Sequence, residues 1–216
     1  IEWTQIPEAY RVISRAEKLD ATMPFGVQAF IDKMEGYVPG SRPSVEKFFD
    51  LAEETRLAQA YSSSVNGKTD SKYMVSHYGN FVRCGSYSVN EVLDSLKMPK
   101  KARDILNAYW CYLGAHCDDL SFLHYASMVN RYIKRGASMP KGRSHEISLA
   151  LTERIRELGG DVLFNTEAVK LLTDEKDGGI AGVVLDDGTR IETRHVVANC
   201  APHIVFDKII DKVPAA

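Results

Sequence analysis

The chain has 216 residues and a formal net charge of -2, so its charge gives no indication of a nucleic-acid partner. Its composition, 44% apolar and 26% charged, can supply one good core, or roughly one and a half domains. The sequence shows no apolar run of bilayer length and no signal-peptide pattern. We therefore expect a cytoplasmic protein, with peripheral membrane contact left open, and its four cysteines, which form no CxxC pair, favour reduced thiols.

The first part of the chain predicts a few short strands followed by a helical layer. Strands are expected at Ile1 to Thr4, Ala9 to Ile13 and Leu19 to Thr22. Apolar spacing and helix-start residues predict a first helix from Phe25 to Met34, which Gly36 with Pro39-Gly40 ends. Further helices are predicted from Ser41 to about Tyr61, within Tyr73 to Val82, after Ser88, after Pro99, and from Leu120 to Arg135. Ser88 and Glu91 have capping-box spacing. The segment SSSVNGKTDS predicts a loop, and a domain boundary is expected near Gly136.

This helical layer is rich in aromatic residues and methionine, and two interpretations are open. In the first, these side chains fill a core, as large apolar residues usually do. In the second, they line an apolar substrate pocket. The residues concerned are Phe48, Phe49, Tyr109, Trp110, Phe122 and Met128.

The chain beyond Gly136 predicts one helix and then strands. Ser144 and Glu146 suit a helix start, and an apolar stripe at helical spacing predicts one buried face that ends at Gly159-Gly160. The stripe consists of Ile147, Ala150, Leu151, Ile155 and Leu158. Strands are expected at Asp161 to Phe164, Ala168 to Thr173, Ile180 to Leu185, Thr189 to Thr193 and His195 to Asn199, with turns at DEKDGG and at Asp186-Asp187-Gly188. The middle three of these strands form an antiparallel unit.

Four phrases in this half resemble a known family: MPKGRSHEISLAL, IRELGGDVLFNTEAVKLL, GVVLDDGTRIETRHVVANCAP and VFDKII. They are similar to the phytoene-desaturase-like branch of the FAD-dependent amine-oxidoreductase superfamily, which includes carotenoid desaturases, carotenoid isomerases and retinol-saturase-like proteins. The resemblance implies an α+β fold. Residues 1–135 would form a helix-rich substrate domain with a partial sheet, and residues 136–216 the middle of a Rossmann-like FAD domain, with a helix, a three-stranded antiparallel unit and a strand.

The same resemblance implies the cofactor and its contacts. FAD would carry the chemistry by hydride transfer, and an apolar isoprenoid or lipid-like molecule would be the substrate. Positions that match the family's flavin contacts are Gly142, Val169, Asn199, Cys200 and Ala201. The family usually has two glycines where this chain has Gly142 and Arg143, which weakens direct cofactor contact at that point. No side chain is assigned as a catalytic acid, base or nucleophile.

Proteins of this family begin with a strand and a G-x-G-x-x-G turn that holds the FAD diphosphate, and this sequence contains no such motif. We therefore expect an internal piece of a longer enzyme, inactive by itself and not binding FAD alone. Strands that are cut off from their neighbours would leave open edges, which favour homo-oligomers. Two other functions stay open: an amine-oxidase-like flavoenzyme, and a binding module without a cofactor.

Four smaller features favour structural interpretations. His116, Cys117, Asp118, Asp119 and His124 lack the paired spacing of a zinc site, so no metal is expected. Ser144 beside His145 does not fit the G-x-S-x-G elbow of a hydrolase. Lys141 and Arg143 are interpreted as solvated charges rather than a phosphate site. The apolar residues before Cys200 predict a buried, unreactive thiol.

Overall fold

The computed structural model describes residues 1–174 and 177–210. It is about 50% helical with 18% strand in small antiparallel sheets, which confirms the α+β prediction. Two compact units divide the chain, an N-terminal unit from Ile1 to Ile147 and a C-terminal unit from Ser148 onward. The predicted domain boundary near Gly136 stays a prediction, because a compact unit need not be a domain that folds by itself. The predicted DEKDGG turn includes residues 175 and 176, which lie outside the described residues.

The N-terminal unit consists of four short strands and a layer of helices. Its strands are β1 (Trp3–Gln5), β2 (Glu8–Ser14), β3 (Leu19–Pro24) and β4 (Ser138–Pro140). Its helices are α1 (Val27–Tyr37), α2 (Arg42–Ser64), α3 (Ser71–His77), α4 (Gly79–Cys84), α5 (Val89–Ser95), α6 (Lys100–Leu106), a 3₁₀ turn at Asn107–Leu113, and α7 (Phe122–Arg135). The predicted strands and helices are therefore present with shifted ends, except that the one helix predicted within Tyr73 to Val82 is two short helices, α3 and α4. Helix α8 (His145–Glu157) crosses the boundary between the units.

Two antiparallel pairings hold the strands of the N-terminal unit. Strands β2 and β3 form a hairpin, with an Arg11–Asp20 ion pair across it. Strand β1 pairs with β4, which lies far away in sequence and was not predicted. Because short strands without a close turn between them leave no local signal, only the folded chain shows this pairing.

Local helix signals account for several boundaries and fail at others. The capping box is confirmed: Ser88 Oγ accepts the Glu91 amide at 3.3 Å, and Glu91 Oε2 accepts the Ser88 amide at 2.7 Å. The first helix ends at Tyr37, between Gly36 and Pro39, as predicted. Helix α2 continues into the predicted loop, as far as Ser64. Glycine and serine only weaken a helix, so tertiary packing can carry a helix through them.

The core of the N-terminal unit is built from edge-to-face aromatic rings. Phe48 contacts Phe49 and Phe122 with ring centroids 5.4 and 5.9 Å apart, and all three are buried. This confirms the core interpretation for these residues. Trp110 is exposed at 37% and stacks on His116. In the part of the chain that the structure describes, no helix is both long and apolar enough to span a membrane.

The C-terminal unit contains the predicted antiparallel meander. Strands β5 (Ala168–Thr173), β6 (Ile180–Leu185) and β7 (Arg190–Glu192) pair in that order. The Asp-Asp-Gly turn is confirmed: Gly188 has φ of +85°, and the Leu185 amide donates to the Thr189 carbonyl at 2.9 Å. A short helix α9 (Pro202–Ile204) and a π-helical turn at Val205–Ile209 follow.

Three predictions for the C-terminal half are wrong. Asp161 to Phe164 and His195 to Asn199 are not strands, because no strand among the described residues lies beside them to pair with their backbone groups. The predicted buried face of α8 is also not found: none of its residues, all of them described, is buried. Leu158 is 70% exposed and Leu151 60% exposed. The predicted homo-oligomers through open edges stay a prediction.

Candidate functional site

An apolar cleft of about 270 Å³ lies within the C-terminal unit. Three sets of residues line it: two sheet strands, the irregular segment after the sheet, and the π-helical turn. The lining residues are Ala168, Leu171, Val183, Val196, Val197, Ala198, Asn199, Cys200, Val205 and Ile209. Aliphatic side chains dominate this set, so the cleft suits an apolar or aromatic group and offers no charge.

A β-bulge positions the strand residues of the cleft. Ala168 and Leu171 are three residues apart and would point to opposite faces of a regular strand. The register shifts between Ala168 and Lys170, so that one extra residue on β5 restores both side chains to one face. Leu171 then lies opposite Val183 on β6. The segment beyond the sheet returns beside β5 through a parallel bridge between Leu171 and Ile210.

The structure brings together two of the five predicted cofactor residues. Asn199 and Cys200 both line the apolar cleft. Ala201 is the next residue and precedes α9 at its N-cap. Val169 is the bulged residue of β5 and is not among the lining side chains. Gly142 belongs to the N-terminal unit, in the loop before α8. The flavin contacts themselves stay predictions.

Cys200 differs from its predicted environment. The apolar run before it predicted a buried thiol, but Cys200 is exposed and the neighbouring Val197 side chain is 97% exposed. The prediction is wrong because the segment forms no sheet strand that neighbouring strands could cover. Apart from the Cys200 thiol, the described side chains that line the cleft include no ionisable group. The cleft can therefore exclude water around a ligand and position it.

The residues that line the cleft suit only one part of a dinucleotide cofactor. An apolar cleft of this size accommodates the edge of a planar ring system, whereas whole ligands of drug size usually occupy larger pockets. A diphosphate needs backbone amides at a glycine turn, or cations, and the lining residues supply neither. The residues that line the cleft are thus compatible in polarity with the edge of an apolar ring, and they form no diphosphate site.

The loop before α8 contains a residue with left-handed backbone geometry. Arg143 has φ of +69°, in the left-handed region that glycine adopts most easily.

Lys141, in the same loop, forms an ion pair with Glu2 at 3.1 Å, and the Lys141 amide donates to the Glu2 carbonyl. Lys141 therefore anchors the β1–β4 pairing. This contact does not fit a phosphate site at Lys141.

The other predicted candidates in the N-terminal unit have structural partners. Tyr109 and Tyr132 both donate their hydroxyls to the Ala9 carbonyl, at 2.7 and 3.2 Å. Burial raises the pKa of Tyr109, so this hydroxyl stays protonated and serves as a structural donor. In the loop at His116, the side-chain amide of Asn90 donates to Asp118 at 2.8 Å. Within the described residues, no three His, Cys, Asp or Glu side chains are placed to hold a metal ion.

The sequence interpretation missed a groove between helices α2 and α7, which we call the cationic groove. Arg56 on α2 lines it together with Arg131, Lys134 and Arg135 on α7, around a cavity of about 300 Å³. The i, i+3, i+4 spacing on α7 was the available signal for one basic face. The contribution of α2 was not predictable, because Arg56 lies on a separate helix whose packing partner the sequence does not specify.

Comparisons with known proteins include a distant relative. No protein-family model matches the chain. The chain is similar to a human protein named all-trans-retinol 13,14-reductase, with 24% identity over 170 residues. The aligned region covers 76% of this chain and 28% of that protein. The chain thus spans less than a third of the length of this relative.

Proposed function

We propose that this chain is a segment of an FAD-dependent oxidoreductase that acts on an apolar isoprenoid-like substrate. The observation that carries the proposal is the match over 170 residues to a protein whose name states reduction of a retinol. The four family-like phrases lie in the same chain, and two of the residues that they assign to flavin contact line one apolar cleft. Because the aligned region covers 28% of that relative, the proposal concerns the whole protein to which this chain belongs.

In this proposal the chain's own residues position ligands. When bound, FAD would supply the hydride, and saturation of a carbon–carbon double bond would also take up one proton, which water can supply. The aliphatic side chains at Leu171, Val183 and Ile209 would exclude water from the ring. Asn199 and Cys200 would contact it from the segment after the sheet. Specificity for an isoprenoid over a polar substrate would come from apolar burial, at about 25 cal/mol per Å² of area removed from water.

The first experiment uses the gene product that contains this chain. It is purified in the dark, and its absorbance spectrum is recorded for the bands of oxidised flavin, with HPLC to identify the released cofactor. A flavin spectrum from released FAD is the expected result. A colourless protein that takes up no FAD on reconstitution would contradict the proposal and favour a binding module without a cofactor.

The second experiment tests the substrate class. The flavin is reduced anaerobically, and retinol or another isoprenoid polyene is added while the return of oxidised flavin is followed. Each oxidised flavin should then be matched by one reduced carbon–carbon double bond. In a parallel assay, the oxidised protein is mixed with aliphatic amines. Flavin reduction by amines, with no response to polyenes, would favour the amine-oxidase-like function.

A matched pair of variants tests the cleft. Ala168→Trp places a large side chain in the cleft, whereas Ala181→Trp places the same side chain on the neighbouring strand outside its lining. We expect at least a several-fold loss of bound flavin with the first variant only. Equal flavin content in both variants, with both folded by circular dichroism, would remove the cleft from the proposed flavin environment.

A further inference from the structure

The cationic groove combines two adjoining concavities along α2 and α7. The first, of about 300 Å³, is lined by Arg56, Gln59, Ala60, Ser63, Asn130, Arg131, Lys134 and Arg135. The second, of about 560 Å³, shares Gln59, Arg131 and Arg135 and adds His124, Ser127, Met128, Tyr132 and Gly136. Ser127 Oγ donates to Gln59 Oε1 at 2.9 Å and joins the two helices between the concavities. The arginines thus lie where a polar concavity meets a more apolar one.

The cations of the groove are incompletely neutralised. Glu53 accepts from Arg56 at 2.8 Å, from Lys134 at 3.1 Å and from Asn130 at 2.9 Å. This one carboxylate therefore serves two of the four cations. Across residues 1–174 and 177–210, neither Arg131 nor Arg135 forms an ion pair. The groove concentrates positive charge in a chain whose net charge is -2.

Helix electrostatics explain only part of this cluster. Lys134 and Arg135 lie in the last turn of α7, where cations interact favourably with the helix dipole. Arg131 lies one turn earlier, and Arg56 lies well inside α2, where the dipole has little effect. Glu54, two residues before Arg56, instead accepts the backbone amides of Asn80 and Phe81. The residual charge of the groove is therefore not accounted for by folding alone.

We propose that the cationic groove binds the phosphate group of a phosphate- or diphosphate-bearing ligand. Guanidinium groups present paired N–H donors that match phosphate oxygens, and Arg131 and Arg135 have these donors unused by ion pairs. The side-chain amide of Gln59 adds a neutral donor at the cavity wall. The adjoining concavity at Met128 and Tyr132 provides room for the less polar remainder of the ligand. This inference does not depend on the proposed flavin chemistry.

The same phosphate chemistry occurs in a soluble compound and in a lipid headgroup, so the experiment has two arms. In the first, inorganic pyrophosphate is titrated into the 216-residue chain by isothermal calorimetry at low salt. In the second, the chain is sedimented with phosphatidylcholine vesicles with and without phosphatidic acid. Calorimetric binding identifies a soluble ligand. Sedimentation that depends on phosphatidic acid, without pyrophosphate binding, identifies a headgroup.

The variants test whether the groove itself is responsible. Arg131→Gln with Arg135→Gln should weaken binding of the responding probe by roughly tenfold or more, since both groups would contact the anion directly. The control, Lys68→Gln with Lys72→Gln, changes the net charge equally at residues outside the groove lining. Binding by neither probe, or equal losses in the two double variants, would overturn the proposal.

A variant that should bind the probe more tightly provides a further test, because damage to the fold would weaken binding. Glu53→Gln removes the carboxylate that neutralises Arg56 and Lys134. We expect the affinity for the responding probe to rise roughly fivefold, with a steeper salt dependence. An unchanged affinity in a folded Glu53→Gln variant would mean that the anion does not contact these cations, and the assigned groove would be wrong.

Discussion

Helices of similar apolar patterning have different surroundings in the two units. In the N-terminal unit, α2 and α7 bury their apolar stripes against each other and against α1, which also packs on β3. In the C-terminal unit, α8 carries a comparable stripe, yet Ile155 is 43% exposed. Among described residues, Leu171 and Leu185 are that unit's buried apolar side chains. Apolar spacing predicts that a helix forms, while burial depends on which surfaces fold against it.

This contrast separates two sources of stability. The N-terminal unit should be held by its aromatic and aliphatic core, with a free energy of burial proportional to the apolar area covered. The C-terminal unit should depend more on its backbone ladder and tight turn, because few of its side chains are covered. Substitutions of the same chemical type should therefore have unequal effects in the two units.

The largest expected effect is loss of a core ring. Phe48→Ala removes a fully buried side chain that contacts Phe49 and Phe122, and we expect the N-terminal unit to lose about 3–5 kcal/mol of unfolding free energy. Phe164→Ala is the matched control, because Phe164 is 65% exposed and should change stability by no more than about 0.5 kcal/mol. Urea denaturation followed by circular dichroism measures both. Similar losses would mean that Phe164 is covered in solution and would break the comparison.

A smaller effect is expected where two backbones approach closely in the C-terminal unit. A Cβ added at Gly182 would lie 2.6 Å from the Ile191 carbonyl oxygen, so Gly182→Ala must displace β7, at a cost of about 1–3 kcal/mol. The Thr193 amide, which donates to Ala181 at 3.3 Å, should then exchange its hydrogen faster.

The control substitution, Gly36→Ala, should change the unfolding free energy in the opposite direction. Gly36 lies within α1, and an added Cβ there has no described atom within 4 Å. Gly36→Ala should therefore stabilise the N-terminal unit by about 0.5–1 kcal/mol. Unchanged protection of Thr193 in Gly182→Ala would show that the three-stranded sheet adapts more easily than its close backbone approach implies.

The sequence was most informative where local chemistry decides conformation. The Ser88–Glu91 capping box and the Asp-Asp-Gly turn each satisfy their own backbone groups within a few residues, so the pattern alone predicted them. Long-range pairing was less predictable. The β1–β4 pairing and the cationic groove join residues far apart in sequence, and the strand predicted at His195 to Asn199 fails for lack of a neighbour. Of the predicted flavin residues, the grouping of Asn199 with Cys200 follows simply from their adjacency, whereas their position beside Leu171 depends on the β5 bulge.

The smallest effect concerns acid, and it again separates the units. Hydrogen bonds from Arg56, together with those from Asn130 and Lys134, lower the pKa of Glu53 from 4.5 to about 2 despite partial desolvation. Because this pKa is lower in the folded than in the unfolded chain, ionised Glu53 stabilises the N-terminal unit above pH 4.5. That contribution is lost as the pH falls toward about 2. Solvent screening of the partly exposed pairs limits it to about 1 kcal/mol.

Unfolding free energies measured across this range should fall less steeply for Glu53→Gln than for the unmodified chain. In the C-terminal unit, the Thr189 amide lowers the pKa of Asp187, which lies in the exposed hairpin turn. Asp187→Asn should therefore alter the acid response of the three-stranded sheet and leave that of the N-terminal unit unchanged. If Glu53→Gln kept the full acid slope, Glu53 would contribute nothing to the stability of the α2–α7 contact. The contrast with the C-terminal unit would then rest on buried area, without a contribution from this carboxylate.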